Sequence, residues 1–133
     1  MTPLIDTNVL VRFLTGDQDP KYEALPHFFF SLESGEKRVE LKLIVLFQVI
    51  FVLTSFYKIP RERVADALIE LCQYRGIKIR RKRIVQEMLL LWRDHGLDIV
   101  DCYLIATLGS DPQNLLYSYD RDFDRFGVNR KEP

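Results

Sequence analysis

Residues 4–14 read Leu4-Ile5-Asp6-Thr7-Asn8-Val9-Leu10-Val11-Arg12-Phe13-Leu14. Leu4 and Ile5 predict a short buried strand that ends at Asp6. Thr7 or Asn8 can then cap a helix that runs through Val9, Leu10, Phe13 and Leu14 until Gly16 stops it. A strand that hands an acid to the start of a helix is the repeating unit of an α/β fold. In such folds, ligands bind outside the carboxyl ends of the strands.

The same pattern continues outward. A helical stretch is expected from about 20 to 34, interrupted or kinked near Pro26 and closed by Gly35. Residues 38–41 suggest a brief strand. The apolar run from Leu43 to Phe56 could be strand or helix by periodicity, but its length favours a helix, with Lys58 and Pro60 marking its end. Pro60 starts a helix with Val64, Leu68 and Leu71 on one face and Gly76 as its stop. Ile77 and Ile79 alternate with Lys78 and Arg80, which suggests a strand. Val85, Met88, Leu89 and Trp92 mark a helix ending at Gly96, and Asp98 can cap another that carries Val100, Leu104, Ile105 and Leu108. After the turn at Asp111-Pro112, residues 115–119 read as a strand ending at Asp120. Strands alternating with helices predict an α/β fold with a mainly parallel central sheet flanked by helices.

The chain has 133 residues and 47% of them are hydrophobic. This predicts one globular domain, 1–133, without room for a second. Basic and acidic residues number 19 each, giving a formal net charge of zero. Attraction to a polyanion must therefore come from a local patch. Cys72 and Cys102 match no zinc spacing and are expected as buried free thiols in a reducing compartment. The opening Met1-Thr2-Pro3 has no basic leader, so no signal peptide and a cytoplasmic location are expected. Residues 43–53 are too few for a membrane span, which needs roughly 20 apolar residues.

Asp6 and Asp120 each follow a predicted strand, and Asp98 and Asp101 lie three apart at the start of one helix. Asp98 reads first as a helix cap, and Asp122 and Asp124 lie in a charged turn that would ordinarily be solvated. The acids carry meaning as a set. Close carboxylate pairs repel by about 4 kcal/mol at an effective dielectric near 20, and a cation offsets that. Oxygen ligands without matched His or Cys point to Mg2+ or Mn2+ rather than zinc.

With these residues the chain resembles a known family. Asp6-Thr7-Asn8-Val9-Leu10 is similar to the opening of PIN domains, especially the VapC-like toxins of toxin–antitoxin pairs. Residues 96–106, Gly-Leu-Asp-Ile-Val-Asp-Cys-Tyr-Leu-Ile-Ala, resemble that family's third motif, and Tyr117-Ser118-Tyr119-Asp120-Arg121-Asp122-Phe123 its fourth. The resemblance implies an endoribonuclease that uses one or two Mg2+ or Mn2+ ions to hydrolyse RNA with metal-activated water. It carries Asp6, Asp101 and Asp120 over as the metal-binding catalytic acids, with Asn8, Asp98 and Asp122 in support. It also implies a homodimer and an antitoxin partner.

The second family motif places a glutamate in an apolar helix, and residues 46–53 resemble that segment with Gln48 in its place. An amide removes one negative charge and a proton acceptor. Gln48 is expected either to face the acids, offering its carbonyl to a metal-bound water or its amide to Asp6 or Asp101, or to bond a backbone group. Two outcomes remain open: a weaker nuclease built on three aspartates, or a fold that has lost most activity and binds RNA or a protein. A flap-type or DNA-directed nuclease is a third, disfavoured by size.

Basic residues concentrate at Arg75, Lys78, Arg80, Arg81, Lys82 and Arg83. They read equally as an RNA phosphate patch or as a solvated connection. His27 and His95 have no partner at a suggestive spacing, and His95 reads as a charge at a helix C-terminus. The phenylalanines at 28–30 and from 47 to 56 exceed what a small core hides, which suits a homodimer or a partner helix.

Overall fold

Backbone polar groups and apolar stripes decide where each element begins and ends. The structure, a computed structural model, describes all residues from Met1 to Pro133. They form two compact units, Met1–Lys82 and Arg83–Pro133.

In the first unit, Leu4 is extended and bridges Glu40 in parallel, and Ile5 N–H donates to the Glu40 carbonyl at 3.2 Å. Helix α1 then runs Thr7–Leu14 and buries Leu10 and Val11. Its N-cap position is Asp6, one residue before the expected cap, and the Asp6 side chain makes no capping bond. A 3₁₀ turn at Pro20–Tyr22 precedes helix α2, Leu25–Ser34. The interruption therefore falls ahead of Pro26, which sits in the first turn of α2 where a missing N–H removes no helical bond. Gly35, at φ 85°, closes α2 in the left-handed conformation that a side chain would disfavour.

Strand β1, Val39–Glu40, pairs in parallel with β2, Ile77–Lys78. Helix α3, Leu43–Phe51, passes into a π-helical turn at Val52–Phe56, so the long apolar run is helical throughout. Thr54 lies in the widened turn and donates its hydroxyl to the Ile50 carbonyl at 2.8 Å. Helix α4, Arg61–Leu71, follows Pro60 and buries Val64, Ala65, Leu68 and Leu71. It ends well before Gly76.

Gly76 has a different task from the stop assigned to it. Its N–H donates to the Leu32 carbonyl at 2.7 Å, and its carbonyl accepts from Val39 N–H at 2.8 Å. A Cβ there would run into the Lys37 carbonyl oxygen and lie 2.7 Å from that of Leu32. The residue is glycine because the end of α2 and strand β1 close on its backbone from both sides.

In the second unit, helix α5 continues from Lys82 to His95 and buries Val85, Met88, Leu89 and Trp92. Helix α6, Ile99–Gly109, is capped by Asp98, whose carboxylate accepts from Val100 N–H at 2.9 Å. Strand β3, Leu116–Tyr117, pairs in parallel with β4, Arg130–Lys131, a strand with no clear sequence signal. Between them a 3₁₀ helix, Arg121–Phe126, is capped by Asp120 and closed by Gly127. The architecture is thus α/β with parallel pairing throughout. Both thiols are buried, as expected, and burial pushes Cys72 up to about 11. No helix is long and apolar enough to cross a membrane.

Gly76→Ala is expected to destabilise the protein by about 1–3 kcal/mol, the range for a side chain forced into filled space. Gly109→Ala, where a Cβ meets nothing within 4 Å, is expected to be neutral or stabilising by up to about 1 kcal/mol, since alanine favours helix. Urea denaturation of both variants measures the contrast.

Candidate functional site

The acids of the second unit are delivered by two helix starts. Asp98 and Asp101 open α6, and Asp120 and Asp122 open the 3₁₀ helix that follows β3. Asp101, Asp120 and Asp122 line one small pocket of about 30 Å³, walled by Leu97, Ile105, Phe123 and Phe126. That space admits one or two water-sized spheres and no nucleotide. It suits an ion and its water.

The electrostatics single out Asp101. Its carboxyl is held above the ordinary carboxylate range, first by burial and then by the charges of Asp98, Asp120 and Asp122. Every one of these influences acts in the same direction. A carboxylate in that position favours whatever positive species, proton or cation, can enter. Asp98 and Asp120 each commit one oxygen to a backbone N–H, of Val100 and Asp122 respectively, both at 2.9 Å. Their second oxygens have no such duty.

No group of three or more acidic, histidine or cysteine side chains stands close enough to clasp an ion unaided. A cation here would therefore rely on one or two carboxylates and on oxygens from outside the protein. Mg2+ commonly binds through one or two carboxylates and completes its octahedron with water and substrate oxygens. The donor set is all oxygen, charged and open on one side, which fits Mg2+ or Mn2+ and does not fit zinc.

The first unit holds Asp6, Asn8 and Gln48. Asp6 is exposed, ends the extended segment, and keeps its carboxylate unspent on its own helix. Asn8 is exposed in the first turn of α1. Gln48 accepts a hydrogen bond on Oε1 from the Thr7 hydroxyl at 2.7 Å. That partner is a hydroxyl, neither an acid nor a backbone group, and Gln48 is exposed. Thr7, read as a cap, instead ties the start of α1 to α3. The hydroxyl beside the acid and the lone amide of an apolar helix were both visible in the sequence. Their pairing, across 41 positions, was not.

The basic residues occupy β2 and the entry to α5. Arg75, Lys78, Arg80, Arg81 and Arg83 are exposed and Lys82 is half-buried. Arg81 takes a left-handed φ of 54°. The first turn of α5 has no acidic residue, so cations crowd the end of the helix where the macrodipole favours anions. Among the histidines, His95 lies in the last turn of α5 and meets the Phe126 ring edge-on at 5.2 Å. His27 is exposed in α2.

A larger depression of about 710 Å³ also lies in the second unit, lined from α5, the end of α6 and residues 126–129. Its lining includes one carboxylate, Glu87, and the cation of Arg83. Lacking convergent acids, it offers no chemistry comparable with the smaller pocket.

The sequence model of the PIN domain matches residues 4–129. A VapC ribonuclease from Aquifex aeolicus (strain VF5) is 22% identical over 130 residues, which are 98% of this chain and 96% of that protein.

Asp101→Asn is expected to raise the melting temperature at pH 7, because it removes a partly desolvated charge from among three others. The sign follows from linkage. A carboxyl whose folded pKa is raised contributes stability when protonated, and loses it as pH rises through the folded value. The gain over wild type should be fully present at neutral pH. It should shrink as pH falls through the raised value of Asp101 and vanish below the ordinary carboxylate range. Thermal melts of both proteins between pH 3 and pH 8 test this.

Proposed function

We infer that this chain, which belongs to the PIN-domain family, is a metal-dependent endoribonuclease of the VapC toxin type, acting as a single domain over 1–133. The observation that carries the reading is Asp101, unneutralised among Asp98, Asp120 and Asp122 at the mouth of an ion-sized pocket. The likeness to a ribonuclease along nearly the whole chain supports the substrate class.

Asp101 and Asp120 hold the cation, and Asp6 is the third acid by its place in the order of motifs. Mg2+ or Mn2+ bound there supplies charge opposite the phosphodiester and a water of lowered pKa. Asp122 through its carboxylate and Asp98 through its second oxygen orient water, and Asn8 supports the Asp6 end of α1. Asp98 and Asp120 are pinned by their caps, so the acids keep their positions as RNA arrives. The cations from Arg75 to Arg83 contact RNA phosphates. In the cell the enzyme is cytoplasmic, homodimeric and restrained by an antitoxin. The exposed apolar side chains Ile44, Phe51 and Phe56 supply surface for such protein contacts.

One observation favours a second reading. Gln48 brings no charge, and its carbonyl oxygen is engaged by Thr7. A protein with one acid fewer could keep RNA or protein binding and lose most cleavage. Glutamate at position 48 could accept the same Thr7 bond and add a negative charge beside α1, so Gln48→Glu tests the site without disturbing the fold.

On a single-stranded RNA with Mn2+ or Mg2+, Asp6→Asn, Asp101→Asn and Asp120→Asn are each expected to lower the cleavage rate by about 100-fold or more. Gln48→Glu is expected to raise it by about tenfold or more. The cation should also raise the melting temperature of wild type more than that of Asp101→Asn. If neither wild type nor Gln48→Glu cuts RNA above the Asp101→Asn background, the nuclease reading fails and the binding reading takes its place.

A further inference from the structure

The strand that delivers Asp120 exposes two large aromatic rings just before it. Tyr117 is 62% exposed and Tyr119 is 70% exposed, while Leu115 at the start of the same segment is 39% exposed. A scattered exposed ring needs no explanation, but two within three residues, just ahead of Asp120 in the chain, make a patch with a direction.

The backbone beneath the rings is fixed. Leu116 N–H donates to the Asn129 carbonyl at 2.9 Å, and Ser118 N–H to the Lys131 carbonyl at 3.1 Å. The Arg130 guanidinium donates to the Ser118 carbonyl at 3.0 Å and to both Asp124 oxygens at 2.9 and 3.2 Å. Asp120 N–H donates to Ser118 Oγ at 3.0 Å, which sets the bend carrying Tyr119 into Asp120. Rings on a segment held this way lose little freedom when something stacks on them.

Charge says what that is. Arg130 is committed to Asp124, but Lys131 is exposed and registered beside Tyr117 across the β3–β4 pair, and Arg121 is exposed just past Asp120. Aromatic faces alternating with cations fit a polyanion whose bases are free to stack, which describes a single strand and not a duplex. We propose that Tyr117 and Tyr119, with Lys131 and Arg121, form a base-stacking strip that seats unpaired nucleotides of the RNA beside the acid pocket. The strip rests on the ribonuclease reading and adds to it the side chains that hold the bases next to Asp120.

The test uses the full chain and fluorescein-labelled RNA of about 12 nucleotides, within the range that single-strand sites cover. Binding is read by anisotropy without divalent cation, so that no cleavage occurs, and cleavage is read separately with Mn2+. Tyr117→Ala and Tyr119→Ala are each expected to weaken single-strand binding by about tenfold. Tyr119→Phe, which keeps the π face, should bind within about twofold of wild type. Removing the bases from the RNA should weaken wild type and leave the double alanine variant unchanged, an outcome that misfolding would not produce. A duplex of equal length should bind both proteins alike. The strip is overturned if the alanine variants bind single strands as tightly as wild type. If Asp101-dependent cleavage persists in that case, the nuclease reading stands without it. If wild type neither binds nor cuts RNA, both fall together.

Discussion

Like charges placed together in a folded protein impose the constraint around which the second unit is arranged. Asp101 is partly removed from water and faces three other carboxylates. The chain accommodates this by fastening two of those acids to backbone donors at helix starts, where the N–H groups need acceptors anyway. Repulsion that would otherwise spread the acids is resisted by caps whose first role is structural. In the proposed site the same bonds would serve function and folding, and Asp101 is a position where neutrality should favour the folded state.

Most of the fold was legible because helices announce themselves locally. The caps at Asp98 and Pro60, the apolar stripes of α4 and α5 and the stop at Gly35 follow from neighbours a few positions away. What was hidden depends on distant residues. The strands are only two residues long, too short for an alternating pattern, and β4 had no signature beyond Arg130-Lys131. Gly76 looked like a helix stop because glycine often is one. Its real reason, a backbone approach from Lys37 and Leu32, involves segments far from it in sequence. The cap position of α1 falls at Asp6, and the Thr7 hydroxyl is engaged by Gln48, a residue far from it in sequence.

The candidate site divides along the same line. Acids at element ends were visible as types and spacings, and the grouping of Asp98, Asp101, Asp120 and Asp122 follows from α6 and the 3₁₀ helix standing side by side. Gln48 was visible as an oddity, an amide in an apolar run, but sequence could not say that a hydroxyl next to Asp6 would engage it. The bond gives position 48 a task that survives without a charge. It links the middle of α3 to the start of α1, two helices that also pack on each other. The amide therefore keeps a structural duty whether or not the site is fully acidic.

The long apolar helix has a consequence for the life of the chain before it is folded. Between Lys42 and Lys58, residues 43–57 contain no charge and no proline. As α3 and its π turn, that segment satisfies its backbone internally and buries Leu46, Val49, Ile50 and Leu53. Extended, the same branched and aromatic residues would be a strong template for intermolecular β stacking. The lysines at its two ends are gatekeepers whose repulsion discourages such self-association. The folded strands, at two residues each, offer almost no edge for the same process. The aggregation hazard of this protein is thus concentrated in one helix, and it is a hazard of nascent and stressed chains rather than of native ones.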